Sequence, residues 1–166
     1  MMRKQKGFSL IELLIVVAII LIIAAIAIPN LLRARMAANE SSAAAAVRTL
    51  NTGQGLYQAK FQTTIGYAPT LVALGPSSNA VPCVPDPAGI AGDCDIDGTL
   101  ATGTKGGYTF TNVPLVANAL NAGYTVTASP LTPNQTGSRW FCSFSDGVVR
   151  GATAAIAACT GAVAPI

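Results

Sequence analysis

A run of sixteen residues without one polar side chain, from Leu13 to Ile28, constrains this chain more than any other feature of its sequence. Counted from Phe8, the apolar stretch has 21 residues, and only Ser9 and Glu12 interrupt it. As an α-helix the stretch would be about 31 Å long, which matches the roughly 30 Å hydrocarbon core of a bilayer. The sequence therefore predicts one membrane-spanning helix near the N-terminus.

The residues on either side of the apolar stretch predict its orientation. Arg3, Lys4 and Lys6 precede it, and basic residues are typically retained on the cytoplasmic side of a membrane. Arg33 and Arg35 follow the stretch and weaken this asymmetry. The four cysteines beyond the stretch favour an oxidising compartment outside the cytoplasm. We therefore expect a single-pass precursor in the inner membrane, with its N-terminus in the cytoplasm.

The composition excludes the commonest enzyme designs. The chain has no histidine, so it contains no Ser-His-Asp or Cys-His catalytic group and no histidine-ligated metal. Its 10 basic and 7 acidic residues give a net charge of +3 over 166 residues. This density of positive charge is too low to indicate the basic patch of a nucleic-acid-binding protein. We expect the chain not to be an enzyme, and the sequence gives no indication of a nucleic-acid partner.

Two maturation sites are compatible with the N-terminal region. An ordinary secretory signal would be cut after Ala27, because Ala25-Ile26-Ala27 resembles an A-x-A cleavage site. Glu12 opposes this interpretation, because a carboxylate costs about 2.5 to 3.5 kcal/mol at the centre of a span, and a disposable segment needs none. The alternative is a cut between Gly7 and Phe8, which leaves the whole apolar stretch on the mature chain.

The N-terminal region resembles that of type IV prepilins and related pseudopilins. Two segments carry the resemblance: KGFSLIELLIVVAII at residues 6–20 and AAIAIPN at residues 24–30. The resemblance implies cleavage after Gly7 by a prepilin peptidase and N-methylation of the new terminus at Phe8. It also implies assembly of the mature subunits into a helical filament, a homo-oligomer, by an inner-membrane machinery. Ser9 stands where many members carry Thr, and Leu21 where many carry Gly.

Glu12 and Pro29 are the predicted assembly residues. Glu12 lies one helical turn after Phe8, so its carboxylate can meet the α-amine that cleavage creates. In a filament, a pair between Glu12 of one subunit and the Phe8 amine of its neighbour would fix axial register, because unpaired charges in apolar surroundings are costly. Pro29 follows the apolar stretch and is predicted to kink the helix.

The sequence beyond Pro29 predicts an α+β fold, in which a long N-terminal helix packs on a small antiparallel sheet with disulfide-stapled loops. We divide the chain into a leader (1–7), a transmembrane and polymerisation helix (8–28), an amphipathic continuation of the helix (29–61) and a globular domain (62–166). An apolar stripe at Val47, Leu50, Tyr57 and Phe61 marks the continuation, although Gly53 and Gly55 are compatible with an earlier end. Strands are predicted at 107–113, 124–128, 139–144 and 148–150, the last two joined by a turn at 145–147.

The four cysteines allow three pairings. We predict the two local bridges, Cys83 with Cys94 and Cys142 with Cys159. The second would pin the Ala-rich C-terminal tail to the sheet, as a similar bridge does in many pilins. A zinc site is not indicated, because the chain has neither a CxxC pair nor a histidine.

Residues 93–98, Asp-Cys-Asp-Ile-Asp-Gly, match the first half of a calcium-binding loop. Asp93, Asp95 and Asp97 are therefore calcium candidates, and pseudopilins, which the N-terminal region also resembles, bind calcium as a family. The closing half is missing, because Thr104 stands where a bidentate Glu belongs. A solvated acidic turn is the simpler interpretation, and we expect no other cofactor.

Taken together, the residues and the resemblance predict a structural subunit of a type IV pilus, membrane-bound before assembly and on the cell surface afterwards. A pseudopilin of type II secretion or a minor pilin is the first alternative. A secreted domain cut after Ala27 is the second. The sequence leaves adhesion, motility and DNA uptake equally open as the task of the filament.

Overall fold

A computed structural model describes residues 8–76, 83–88, 92–117 and 119–166. The chain divides into two compact units, Met1–Arg35 and Met36–Ile166. We call the described residues 8–35 the N-terminal unit and Met36–Ile166 the head unit. The predicted leader, residues 1–7, lies outside the described residues.

Helix α1 runs from Leu10 to Phe61 and contributes to both units. Within the N-terminal unit none of its described residues is buried. Its most apolar 18-residue window has a mean hydropathy of 3.3, so by length and composition α1 can cross a membrane. The helix continues through Pro29, and the predicted kink at that residue stays a prediction.

In the head unit, α1 buries one face from Ala43 to Tyr57, with Val47 and Leu50 at its centre. The predicted stripe is confirmed there, because apolar residues three, four or seven apart lie on one side of a helix. The two glycines do not end the helix. A Cβ atom at Gly53 would lie 3.1 Å from the Ile96 side chain, so the missing side chain permits this close approach.

The head unit contains one five-stranded antiparallel sheet in the order β1-β2-β3-β4-β5. Its strands are β1 (Thr104–Lys105), β2 (Tyr108–Ala117), β3 (Leu120–Pro130), β4 (Trp140–Phe144) and β5 (Arg150–Ala152). Every neighbouring pair is consecutive in sequence, so short turns suffice to connect them. Two further helices, α2 (Leu71–Leu74) and α3 (Gly98–Ala101), lie between α1 and the sheet in sequence.

The core of the head unit joins the buried face of α1 to one face of the sheet. Its largest fully buried side chains include Leu50 and Tyr57 from α1, Tyr108 from β2 and Phe141 from β4. The rings of Tyr108 and Phe141 lie 5.9 Å apart between centroids, within the range of a favourable aromatic pair. The predicted α+β architecture, with its long helix, antiparallel sheet and two disulfides, is confirmed.

Several element bounds differ from the prediction. Strands β2 and β3 extend beyond 113 and 128, because they pair with each other along almost their whole length. Strand β5 begins at Arg150 rather than at residue 148. Strand β1 and helices α2 and α3 were not predicted. The segment before β2 forms β1 because Gly106 and Gly107 both adopt positive φ, which a two-residue hairpin turn requires.

Candidate functional site

The start of α1 is organised around Glu12. The Ser9 N–H donates a 3.0 Å hydrogen bond to Glu12 Oε2, and the Ser9 carbonyl accepts from the Leu13 N–H at 3.3 Å. Ser9 therefore stands at the N-cap of α1 and Glu12 three residues on, the arrangement of a capping box. The carboxylate satisfies a donor at the helix end and lies where the helix dipole favours negative charge.

This arrangement places the predicted assembly carboxylate within one turn of the predicted cleavage point. Gly7 lies outside the described residues. Phe8 directly precedes the N-cap residue Ser9, and Phe8 is 84% exposed. Glu12 therefore binds the backbone of the residue that would follow the new N-terminus, and the amine that cleavage creates would form one residue earlier.

The N-terminal unit presents a continuous apolar surface. Every Leu, Ile, Val and Phe side chain from Phe8 to Leu32 is between 47% and 84% exposed. Soluble monomers rarely expose apolar patches of this extent, because each large side chain in water costs about 1.5 to 3 kcal/mol relative to burial. The surface requires lipid or other protein around it.

Pro29 lies near the end of this surface, inside α1. Because proline has no N–H, the carbonyl of Ala25, four residues earlier, lacks its usual helical donor. In a bilayer such a group needs another donor or access to water.

Both predicted disulfides are present: Cys83 is bonded to Cys94, and Cys142 to Cys159. The second joins β4 to the C-terminal tail. Beyond this bridge the tail returns to β5, where the Gly151 N–H donates to the Ala164 carbonyl at 3.0 Å. The tail thereby covers the outer edge of β5, which reduces the risk of edge-to-edge pairing with other chains.

The three calcium candidates are divided between two lysines. Lys60 Nζ lies 2.5 Å from Asp93 Oδ2 and 3.0 Å from Asp95 Oδ1. Asp97 caps α3 by accepting from the Leu100 N–H, and it pairs with Lys105 at 2.7 Å. Hydrogen bonds from Lys105, then from Thr99, lower the pKa of Asp97 to about 2.

These contacts do not fit a calcium site. The described part of the chain contains no group of three or more Cys, Asp or Glu residues arranged to hold a metal ion. Calcium takes six to eight oxygen ligands, whereas here an ammonium already contacts two of the candidate carboxylates. Sequence reasoning missed Lys60, because nothing in its local sequence links it to a loop more than 30 residues away.

A family profile described as the prokaryotic N-terminal methylation motif matches residues 2–28. This match includes the predicted cleavage point between Gly7 and Phe8, Glu12 and the apolar stretch. Over these residues the chain is therefore similar to proteins that carry this methylation motif. The matched residues include the exposed apolar part of α1 in the N-terminal unit.

Two curated relatives are pilus proteins. The chain is 46% identical over 74 residues to the type IV wide pilus major component PilA4 of Thermus thermophilus, a match that covers 45% of this chain and 56% of the relative. It is 42% identical over 72 residues to the type IV major pilin protein PilA of Myxococcus xanthus, covering 40% and 33%. The chain thus spans about half of one relative and a third of the other. No solved structure matches the chain.

Proposed function

We propose that this protein is a pilin, a structural subunit of a type IV pilus, cut between Gly7 and Phe8, methylated at Phe8 and assembled into a helical filament through α1. One observation carries the proposal: the methylation motif contains the first part of a helix whose apolar side chains find no cover within the N-terminal unit. The names of the two relatives support the same role. Neither the pseudopilin nor the secreted domain cut after Ala27 is favoured by these findings.

The apolar surface of α1 suits two environments in succession. Before assembly, lipid covers it, and the precursor is anchored in the inner membrane with its N-terminus in the cytoplasm. In the filament, the same helices of other subunits cover it. Because lipid tails are about as apolar as leucine, this transfer gains little from the hydrophobic effect itself. Helix packing and charge pairing must therefore decide where each subunit docks.

Glu12 supplies the charge pairing. In the precursor its carboxylate binds the Ser9 N–H, and cleavage adds an α-amine one residue earlier. A neighbour's Phe8 amine then offers the carboxylate an ionic partner in apolar surroundings, where an uncompensated charge is strongly disfavoured. The pairing selects one axial register between subunits.

The finished filament should be hard to dissociate. Release of one subunit into water would expose its apolar side chains at about 1.5 to 3 kcal/mol for each large one. Assembly therefore starts from the membrane, where the helix is already covered, and the family resemblance implies an ATP-driven machinery that extracts the subunits. The prepilin peptidase with its methyltransferase activity is the other partner, and the head unit presents a disulfide-stapled surface to the exterior.

The N-terminus of the mature protein tests the proposal. Protein from shed surface fibres is digested, and the N-terminal peptide is identified by mass spectrometry. We expect N-methylated Phe8, whereas Ile28 at the N-terminus would show the secreted domain. Immunogold labelling of intact cells with an antibody to the head unit then distinguishes long surface fibres, which we expect, from a protein confined to the cell envelope, which would contradict a pilus subunit.

A further inference from the structure

The loop at residues 92–98, which we call the acidic loop, contacts the last turn of α1 through Lys60. The Lys60 ammonium donates to Asp93 Oδ2 and to Asp95 Oδ1 at 2.5 and 3.0 Å. The loop is also anchored by the bridge from Cys94 and by Ile96, which packs into the core. The ammonium therefore lies between the two carboxylates and joins the loop to α1.

The two carboxylates are almost fully buried. Only 4% of the Asp93 side chain and 7% of the Asp95 side chain are exposed, against 44% for Lys60. Buried charges are costly unless they are paired, because burial removes them from water. One ammonium offsets one of the two negative charges, so this part of the loop has an excess of negative charge.

Two further observations show this excess. Asp95 Oδ2 is buried and has no hydrogen-bond partner among the residues that the structure describes. Burial raises the pKa of Asp95, the hydrogen bond from Lys60 opposes the rise, and the neighbouring Asp93 adds to it. Although burial acts to lower it, the pKa of Lys60 is raised by its hydrogen bonds to Asp93 and Asp95. The Lys60 ammonium therefore compensates buried negative charge, and without it the two buried carboxyl groups would face each other.

The loop has the first half of a calcium-binding pattern, and the structure shows an ammonium in contact with the first two of its three carboxylates. We propose that Lys60 is the built-in cation of the acidic loop: the native head unit needs no divalent ion there, and removal of the ammonium leaves carboxylates that a divalent cation then neutralises. Lys60 and a divalent ion compete for the same oxygens, so only one of them occupies the loop. The proposal concerns folding of the head unit and is independent of filament assembly.

Thermal unfolding of the full-length protein in detergent tests the proposal. Trp140, the single tryptophan of the chain, lies in β4, so its fluorescence reports on the head unit. The Tm of the native protein should be the same in EDTA and in millimolar calcium. In EDTA, Lys60→Met should lower the Tm by about 4 °C or more, and calcium should restore most of this loss. If Lys60→Met does not fold in EDTA, calcium should restore folding.

Lys105→Met is the matched control. It also removes an ammonium from a carboxylate of this region, but Lys105 and Asp97 are both substantially exposed. We expect a nearly native Tm and no response to calcium. A second variant, Lys60→Met combined with Asp95→Asn, removes one buried charge along with the ammonium. It should be more stable in EDTA than Lys60→Met alone and should respond less to calcium.

A direct binding measurement completes the test. Terbium, a luminescent substitute for calcium, should show emission excited through Tyr57, which lies one turn before Lys60, in the Lys60→Met variant but not in the native protein. A native Tm that rises with calcium or falls with EDTA overturns the proposal. So does a Lys60→Met variant that matches the native Tm in EDTA, or one that neither calcium nor terbium affects.

Discussion

The N-terminal unit and the head unit use their apolar residues in opposite ways. In the N-terminal unit every large aliphatic or aromatic side chain from Phe8 to Leu32 is at least 47% exposed. In the head unit, side chains of the same types form a core in which Leu50, Tyr57 and Tyr108 have no exposed surface. The head unit thus covers its own apolar side chains, whereas the N-terminal unit leaves them exposed, as the proposed membrane and filament environments require.

The same contrast applies to charge. Glu12 accepts a hydrogen bond from a backbone N–H at the helix start, and the proposed filament contact would add an ionic partner. In the head unit, Lys60, Lys105 and Arg150 are each paired with a carboxylate. A substitution should therefore affect assembly in one unit and folding in the other, and the following predictions test that separation.

The largest effect is expected from Glu12→Ala. We expect normal expression and an unchanged head unit, but filaments abolished or greatly reduced, because the register-setting charge is gone. Filament yield by shearing and electron microscopy measures this. Glu40→Ala is the matched control. Glu40 lies on the same helix and accepts hydrogen bonds from the Ser138 N–H and hydroxyl. Its substitution should lower the stability of the head unit and leave the filament yield unchanged. A normal yield from Glu12→Ala would disprove the assembly role.

Leu50→Ala and Leu14→Ala compare one substitution in the two units. Leu50 is fully buried and Leu14 is 61% exposed. Leu50→Ala should reduce the free energy of unfolding of the head unit by about 2 to 5 kcal/mol, the usual cost of a cavity. Leu14→Ala should leave it unchanged. Trp140 fluorescence during chemical denaturation measures both, and equal losses would contradict the separation of the units.

Removal of the bridge between Cys142 and Cys159 should have the next largest effect. Serine at both positions releases the C-terminal tail and should lower the free energy of unfolding by about 3 kcal/mol. Membrane insertion, measured by carbonate extraction, should not change, because the bridge lies in the head unit. A variant as stable as the native protein would show that the hydrogen bonds between the tail and β5 suffice.

The smallest effect is expected from acidification around Asp97. Its pKa falls from the ordinary 3.8 to about 2 in the folded chain, mainly through Lys105. A lowered pKa means that the folded state binds this proton less tightly than the unfolded state. Asp97 therefore stabilises the head unit above about pH 4, and this contribution is lost as the pH falls through its folded pKa of about 2.

Asp97→Asn should flatten this part of the pH profile while preserving the helix cap, since Asn caps about as well as Asp. The Tm of the native and variant proteins is compared between pH 4 and pH 2, so that titration of other carboxylates, such as Asp146, cancels. Parallel profiles would show that the pair with Lys105 does not contribute.

Local sequence patterns predicted the long elements of the fold well. The buried stripe of α1 and its end at Phe61 follow from helical periodicity and from the loop composition beyond. Four-residue helices carry no periodic signal, and α2 and α3 depend on single caps: the Thr70 hydroxyl accepts from the Ala73 N–H, and the Asp97 carboxylate from the Leu100 N–H. Strand β1 had a usable signal, because two glycines between Lys105 and Tyr108 are typical of a tight hairpin.

The candidate sites also differ in whether their residues are close in sequence or far apart. Gly7, Phe8 and Glu12 are close in sequence, so a linear motif was enough to propose their roles, and the Ser9 cap adds only a local detail. The acidic loop also has a linear motif, yet its interpretation depended on Lys60, which lies 33 residues before Asp93 in the chain. The motif identified the carboxylates, but only the fold shows that the Lys60 ammonium contacts Asp93 and Asp95.

By itself, the sequence determined that this protein has a helix able to cross a membrane, a carboxylate near the start of that helix and an unusually long apolar stretch. These properties are local, because they depend on residues within a few turns of one helix. The tertiary structure alone decided which strands pair beyond the predicted bounds, how the tail covers β5 and which charge lies against Asp93 and Asp95. Those outcomes depend on long-range contacts, whose partners are brought together only when the core forms.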